Sequence, residues 1–351
     1  MPLVVLVSAA MSGSDATILF GGSSSERRVS VASGQHVSAI LDEAQALFLS
    51  PEGAVFEVRR EELARFERPF ETDFLPAREA AFANLLAAVE SDPKRVYLLA
   101  LHGGEGEDGT LQRMLEGRRI AFTGPGALAS ARAFDKEIAK QVASSAGVRI
   151  AQSVHLSADP KVMRATLLSM LATYGRVVAK PVAGGSSVGL HHLLSEADVE
   201  KAATAIAATG EAYLAEKFVS GTELTVGVVD GPQGLRALPP SEVRLAPGRA
   251  FDFEGKYLGK GTTEITPAEV APEVTRAAQH LALEAHRALG CEGYSRTDLI
   301  VSAGVPVFLE LNTLPGMTRA SFIPQQLAVE GTTMLQFLEG QLEIARIRRD
   351  R

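Results

Sequence analysis

The 351-residue sequence predicts an α/β fold, α+β in parts, and three stretches predict it. Residues 17–20 form a short apolar strand, Gly21 and Gly22 turn the chain, and a helical pattern runs over 29–41. Strand, glycine-rich turn and helix together open an α/β domain. Residues 96–101 repeat that arrangement, with the glycine-rich run 102–109 leading into a helix over 110–116. Near the C-terminus, the apolar runs 299–301 and 307–311 flank Ser302, Ala303 and Gly304, which is the pattern of a β-hairpin.

Size and composition bound the function. A chain of this length has room for two or three domains and a large core. Hydrophobic content of 46% and charged content of 22% suit a soluble globular protein. A formal net charge of −7 argues against a general nucleic-acid binder, whose affinity rests on basic contacts to phosphates. The single cysteine, Cys291, allows no internal disulfide, so the cytoplasm is the expected compartment. No apolar run approaches the ~20 residues of a membrane helix, so no membrane partner is expected. Residues 1–10 lack the basic start of a secretion signal, and Met11 is a possible translation start.

Taken in order, the first glycine turn carries Glu26 at a helix start. There it would either cap the helix or receive a cation such as a substrate ammonium. Gly104, Gly106 and Gly109 match dinucleotide-binding spacing, but Glu107 and Asp108 would repel a pyrophosphate. That run therefore reads as a structural turn with a polar site. Residues 128–146 read as one helix; its Lys136 is expected in solvent on local grounds. A further helix is expected over 160–172. The strand 176–180 ends in Lys180 and leads into the Gly/Ser-rich loop 181–189, whose N–H groups could fold over phosphates. After a helix at 196–208, the strand 213–219 could pair its backbone with a base edge. Glu223 then reads as a turn acid before a strand at 224–229. Phe251, Phe253 and Tyr257 lie in a polar, Gly-rich loop that suggests a lid. Long helices are expected over 267–289 and 333–347.

Alternation across the C-terminal hairpin puts Arg296 and Asp298 on one face of the first strand, and Glu310 and Asn312 on one face of the second. A carboxylate inside the run VFLEL needs compensation. Two readings fit the hairpin alone: oxygen ligands for Mg²⁺, or a structural salt bridge from Glu310 to Arg296. The tail 312–318, with Pro315 and Gly316 ending the strand, favours a ligand site.

FGGSSSERRVS, LHGGEGEDGTLQ, KPVAGGSSVG, EKFVSGTELTV, EGKYL, RTDL and ELNTLPGMT, in this order, resemble the D-alanine:D-alanine ligases of the ATP-grasp superfamily. The likeness spans about residues 16–344. It implies a three-domain ATP-grasp architecture with a Rossmann-like pre-ATP-grasp domain, divided at 1–124, 125–215 and 216–351. ATP would lie between the last two, with two Mg²⁺ or Mn²⁺ ions on Asp298, Glu310 and Asn312, and with K⁺ as a further possible cofactor. Lys136, Lys180, Ser187 and Lys256 would meet phosphates or the base pocket, Glu216, Lys217 and Val219 the adenine, and Glu223 the ribose. Glu26 would take the first D-alanine's ammonium, with His102 and Phe322 also among the substrate residues. Arg296 and the Gly316 backbone would stabilise the oxyanion, and Ser321 with Arg296 would hold the second D-alanine. Glu26, Ser186 and Tyr257 would form a hydrogen-bonded triad joining the phosphate loop to the lid. Phe251 and Phe253 stand where the family commonly has tyrosines, and residues 44–94 carry no motif of it.

The implied reaction is two-step: an acyl phosphate forms on the first D-alanine, and the second one's amine displaces phosphate, for peptidoglycan precursors. Tyr257 favours an amine over D-lactate as second substrate. The implied assembly is a homodimer. Alternatives are a D-lactate, D-serine or other amino-acid ligase, a catalytically silent nucleotide-binding homologue, and, from the glycine spacing alone, an NAD-dependent oxidoreductase.

Overall fold

The computed structural model describes residues 13–185, 188–231, 234–245 and 262–351. The expectations for residues 1–12, Ser186, Ser187, Phe251, Phe253, Lys256 and Tyr257 lie outside the described residues.

Three sheets carry the chain. The first holds β1 (Ala16–Gly21), β2 (Gln45–Leu49), β3 (Val55–Val58), β4 (Val96–Leu99) and β5 (Ala121–Phe122), in the order β3-β2-β1-β4-β5. Every residue of β1 is buried, as suits a strand with parallel neighbours on both sides. The order reverses between β1 and β4. In an α/β sheet such a reversal opens a crevice at the carboxyl ends of the strands. Gly21 ends β1 with φ +100°, and a Cβ there would lie 2.3 Å from the Leu49 carbonyl oxygen. Only glycine fits this turn.

The second sheet is antiparallel: β6 (Ser153–His155), β7 (Val177–Pro181), β8 (His191–Leu193) and β9 (Tyr213–Lys217), in the order β6-β9-β7-β8. Helices Pro160–Tyr174 and Glu196–Thr209 bury Met163, Leu167, Val199 and Ile206 against it. The third sheet is antiparallel too. It comprises β10 (Thr222–Val229), β11 (Arg236–Ala237), β12 (Ser241–Leu245), β13 (Thr262–Ile265), β14 (Tyr294–Ser302) and β15 (Val305–Asn312). Its core takes Leu281 and Leu289 of helix Pro272–Leu289, and Ala129, Ala133, Ala139 and Ala143 from the helices before the second sheet.

Several expected boundaries move. The single helix over 128–146 is two, Ala127–Phe134 and Lys136–Ser145. Asp135 is extended between them and accepts hydrogen bonds from the N–H groups of Glu137 and Ile138, each at 2.9 Å, an N-cap that ends one helix and starts the next. The helix expected from Pro267 starts at Pro272, because that proline is suited to the first helical position and not to an interior one. Glu223 lies within β10, not in a turn, and β9 ends at Lys217.

Residues 44–94 supply β2, β3 and helices Arg60–Ala64 and Leu85–Ser91. A helix not expected from the sequence, Phe322–Val329, is tied to β10 by buried Gln326: its Nε2 donates to the Thr225 carbonyl, and its Oε1 accepts from Gly227 N–H at 2.8 Å. Helix Met334–Arg349, with a capping box at Thr333, puts Phe337, Leu338 and Leu342 into the core of the first sheet. Arg346 pairs there with Asp15 at 2.6 Å. Among the described residues, no helix is long and apolar enough to cross a membrane.

Candidate active site

Two connected spaces hold the expected site residues. A cleft of about 950 Å³ is lined by β7 to β9 on one side and by β10, β12, β14 and β15 on the other. An inner chamber is lined by Glu26, His102, Glu107, Arg296, Asn312 and Gly316, among others. Lys136, Gly184, Gly185 and Glu310 line both. Anything spanning from cleft to chamber must pass these four.

The chamber is built at the β1/β4 crevice. Glu26 occupies the N-cap position of helix Arg27–Ile40, yet its side chain makes no capping bond, which overturns the capping reading. The carboxylate turns instead toward Gly103 and Gly185: Cβ atoms there would sit 2.9 and 3.2 Å from its Oε2. The first loop thus meets the Gly184–Gly185 loop at Glu26. His102 is buried, with Nδ1 2.8 Å from the Leu314 carbonyl and Nε2 2.9 Å from Ser33 Oγ. A carbonyl only accepts, so Nδ1 carries the proton. Burial keeps this imidazole below its usual pKa and neutral. Nε2 then accepts from the Ser33 hydroxyl, whose oxygen accepts from Met317 N–H. One neutral histidine thereby joins the end of β4 to the segment after β15.

Glu107, read from sequence only as a charge that would repel a pyrophosphate, lines the same chamber. Burial, with the Glu26 charge next in effect, pushes its carboxyl up to about 8. It is therefore largely protonated at neutral pH.

On the C-terminal hairpin, Asp298 lies opposite Glu310, and Arg296 opposite Asn312. Arg296 grips Asp298 with two parallel hydrogen bonds, Nε to Oδ1 at 2.9 Å and Nη2 to Oδ2 at 2.8 Å. Thr225 Oγ1 and Asn312 Nδ2 also donate to this carboxylate. The alternative reading of the hairpin, a salt bridge from Glu310 to Arg296, is not what forms: Arg296 takes Asp298, and Glu310 faces Lys136 Nζ at 4.0 Å. Carboxylates directly opposite on paired strands repel. The donor set Asp298, Glu310 and Asn312 is all oxygen, so the residues fit a hard divalent cation. A cation bound to Asp298 would compete with Arg296 for its lone pairs.

In the cleft, Lys136 is buried rather than solvated, and its Nζ donates to the Gly184 carbonyl at 2.5 Å. The chain after Asp135 turns this lysine inward. Lys180, at the end of β7, reaches Glu216 Oε2 at 3.2 Å. Burial works to raise the Glu216 carboxyl, but the Lys180 and Lys140 charges hold it below the usual range. Lys217, Phe218, Val219 and Glu223 also line the cleft, and the Arg176 guanidinium stacks 3.9 Å over the Phe218 ring. Ser321 and Phe322 are not among the residues lining either space; the Phe322 ring centroid lies 5.7 Å from the Arg296 guanidinium carbon. Ser321 Oγ bonds Thr318, and a Cβ on Gly316 would lie 2.7 Å from that oxygen.

The structure thus brings together Glu26, His102, Lys136, Arg296, Glu310, Asn312 and Gly316 around the chamber, and Lys180, Glu216, Lys217, Val219, Glu223 and Asp298 along the cleft. Sequence reasoning passed over Glu107 and missed Lys140. Lys140 follows Lys136 by one helical turn, which was the available signal.

Two family profiles match the chain: "D-ala D-ala ligase N-terminus" over residues 15–125 and "D-ala D-ala ligase C-terminus" over residues 143–343. The chain is similar to the D-alanine–D-alanine ligase of Leptospira biflexa, 37% identical with 93% of this chain and 97% of that one covered. The enzyme of that name from Syntrophobacter fumaroxidans is 38% identical, with 93% and 96% covered. Among solved structures, the Bacillus anthracis D-alanine–D-alanine ligase complexed with ATP matches with TM-score 0.72 at 25% identity, covering 95% and 98%. The VanG D-Ala:D-Ser ligase of Enterococcus faecalis, at TM-score 0.77 and 24% identity over 94% and 98%, shares the fold.

Proposed function

The chain belongs to the D-alanine–D-alanine ligase family, whose members join two D-alanine molecules at the expense of ATP, and we propose that it does so through the following residues. The carrying observation is the junction where Lys136, the Gly184–Gly185 loop and Glu310 wall both cleft and chamber. A triphosphate in the cleft would present its terminal phosphate there to a carboxylate in the chamber.

Adenine lies against Glu216, Lys217 and Val219, where the Glu216 carboxylate accepts from the exocyclic amine. Glu223 holds the ribose, and Lys136 and Lys180 screen the phosphates. Asp298, Glu310 and Asn312 hold the divalent cations, Mg²⁺ or Mn²⁺, which supply charge neutralisation when bound. Glu26 receives the ammonium of the first D-alanine, beside neutral His102. That substrate's carboxylate attacks the γ-phosphate, ADP departs and an acyl phosphate remains. The amine of the second D-alanine, held by Arg296 and Ser321 beside Phe322, attacks the acyl carbon. Arg296 and the Gly316 N–H stabilise the oxyanion, a duty worth about 3–4 kcal/mol per donor. Phosphate then leaves and D-alanyl-D-alanine is released. Ser186, Ser187, Lys256 and Tyr257 complete the phosphate loop and lid in this proposal, with Tyr257 favouring an amine as second substrate. A homodimer, a cytoplasmic location and a place for K⁺ belong to it on family membership alone.

A coupled ADP-release assay with ATP, Mg²⁺ and D-alanine tests the reading. Turnover is expected with wild type and nearly abolished by Glu310→Ala in a protein that still folds. Strict preference for D-lactate or D-serine in a panel of second substrates would overturn the dipeptide assignment. No D-alanine-dependent ADP release would support a silent nucleotide-binding homologue.

A further inference from the structure

At the edge of the nucleotide cleft lies a buried ion cluster with one member, Lys140, that the mechanism above does not use. Lys140, on helix Lys136–Ser145, is 1% exposed, and its Nζ lies 2.8 Å from Glu216 Oε1. Lys180 takes the other oxygen of the same carboxylate, at 3.2 Å. Glu216 and Lys180 line the cleft; Lys140 instead lines a neighbouring groove toward β6 on the same face of the sheet, with Gln141, Gln152 and Leu214. Lys140 therefore reaches Glu216 from beside the cleft, without lining it.

A buried lysine is costly unless its charge has a task, and a buried carboxylate is costly unless it is paired. Lys180 alone could neutralise Glu216, but Lys180 is also the cation that a triphosphate would draw toward the cleft. A second lysine that does not line the cleft removes the conflict. It keeps Glu216 charged and oriented when Lys180 turns to phosphate. Two ion contacts leave acceptor sites on the carboxylate for a base.

We propose that Lys140 is a positioning and specificity-determining residue, which acts through Glu216 to make the cleft select a purine carrying a 6-amino group over one carrying a 6-oxo group. This rests on the assignment of Glu216 to adenine made above. Inosine triphosphate is the discriminating probe, because it presents an acceptor where adenine presents a donor, and Glu216 can only accept.

The test is the ratio of kcat/KM with ATP to kcat/KM with inosine triphosphate, in wild type, E216Q, K140M, K140R and K140M/E216Q. K140M is expected to lower the ratio by about tenfold or more, the worth of a charged hydrogen bond. The loss should fall mainly in KM for ATP, with kcat at saturating ATP changed little, and K140R should restore most of the ratio. Should K140M not fold, the double variant removes both charges together and remains measurable. In the E216Q background the lysine change is expected to leave the ratio unaltered. A K140M ratio equal to wild type, or a further drop in the double variant beyond E216Q alone, overturns the proposal and leaves Lys140 a structural counter-ion. A wild type without D-alanine-dependent turnover overturns the functional reading instead, and an unchanged ratio in E216Q overturns the placement of adenine.

Discussion

Glu107 shows how much a single buried group can decide. Its carboxyl, pushed up to about 8, faces Glu26, His102, Arg296 and Glu310. From an ordinary value of 4.5 up to that pKa, the folded protein holds a proton that the unfolded chain has lost. Stability must then fall as pH rises through this window, in the opposite sense to a salt-bridged carboxylate. His102, kept neutral by burial, acts in the other direction, but only where the unfolded chain's histidine is charged, below about pH 6.5. From about pH 7 to 8 the Glu107 contribution stands apart. Melting curves of the ligand-free protein across that range should show the wild type losing stability, by on the order of 1 kcal/mol, while Glu107→Gln stays flatter. Parallel curves for the two proteins would exclude a protonated Glu107. The residue was legible only as a charge in a glycine-rich run. Its protonation depends on neighbours 81 positions back, at Glu26, and nearly two hundred ahead, at Arg296. No local pattern reports such a meeting.

At the scale of the element, the C-terminal hairpin was readable from alternation and a small-residue turn, but not the register shift between Asp298 and Leu299 that brings Asp298 opposite Glu310. So was helix Thr110–Glu116, whose bounds follow from Gly109 before it and Gly117 after it. The break at Asp135 was harder, because apolar spacing continues across it and only the cap interrupts the backbone. Strands β2 and β3 are short runs, QALFL and VFEV, and the turn signal between them, Pro51 and Gly53, went unused although it joins them as an antiparallel hairpin. The loop after β4 offers a prediction of its own. Gly103 has φ +66°, and a side chain there would press on Glu26 Oε2 at 2.9 Å. Gly103→Ala should therefore displace the Glu26 carboxylate, proposed above to receive the ammonium, while leaving the cleft intact. KM for D-alanine is expected to rise about tenfold or more, with KM for ATP nearly unchanged; the 1.4 kcal/mol involved is what a modest shift of one charged contact costs. Equal rises in both constants would place the fault in folding rather than in Glu26.

The whole molecule is organised so that no sheet owns the site. Glu26 and His102 come from the first sheet's loops, Lys180 and Glu216 from the second, and Arg296, Asp298 and Glu310 from the third. Helix Met334–Arg349 then returns the chain to the first sheet, so its core draws on both ends of the sequence. Motif order conveyed the parts of this arrangement, but not the return of that helix, whose partners lie more than two hundred residues earlier. A ligand that touches two sheets at once must stabilise their arrangement by mass action. A non-hydrolysable ATP analogue with Mg²⁺, at about a hundred times its Kd, should add about 2.7 kcal/mol and raise Tm by several degrees. The cation's share of that gain depends on the hairpin carboxylates. Glu310→Ala should keep the shift produced by nucleotide with EDTA and lose the increment that Mg²⁺ adds. Differential scanning fluorimetry with and without chelator separates the two. An undiminished Mg²⁺ increment in Glu310→Ala would mean that the hairpin does not hold the cation, and the assignment of Asp298, Glu310 and Asn312 would fall with it.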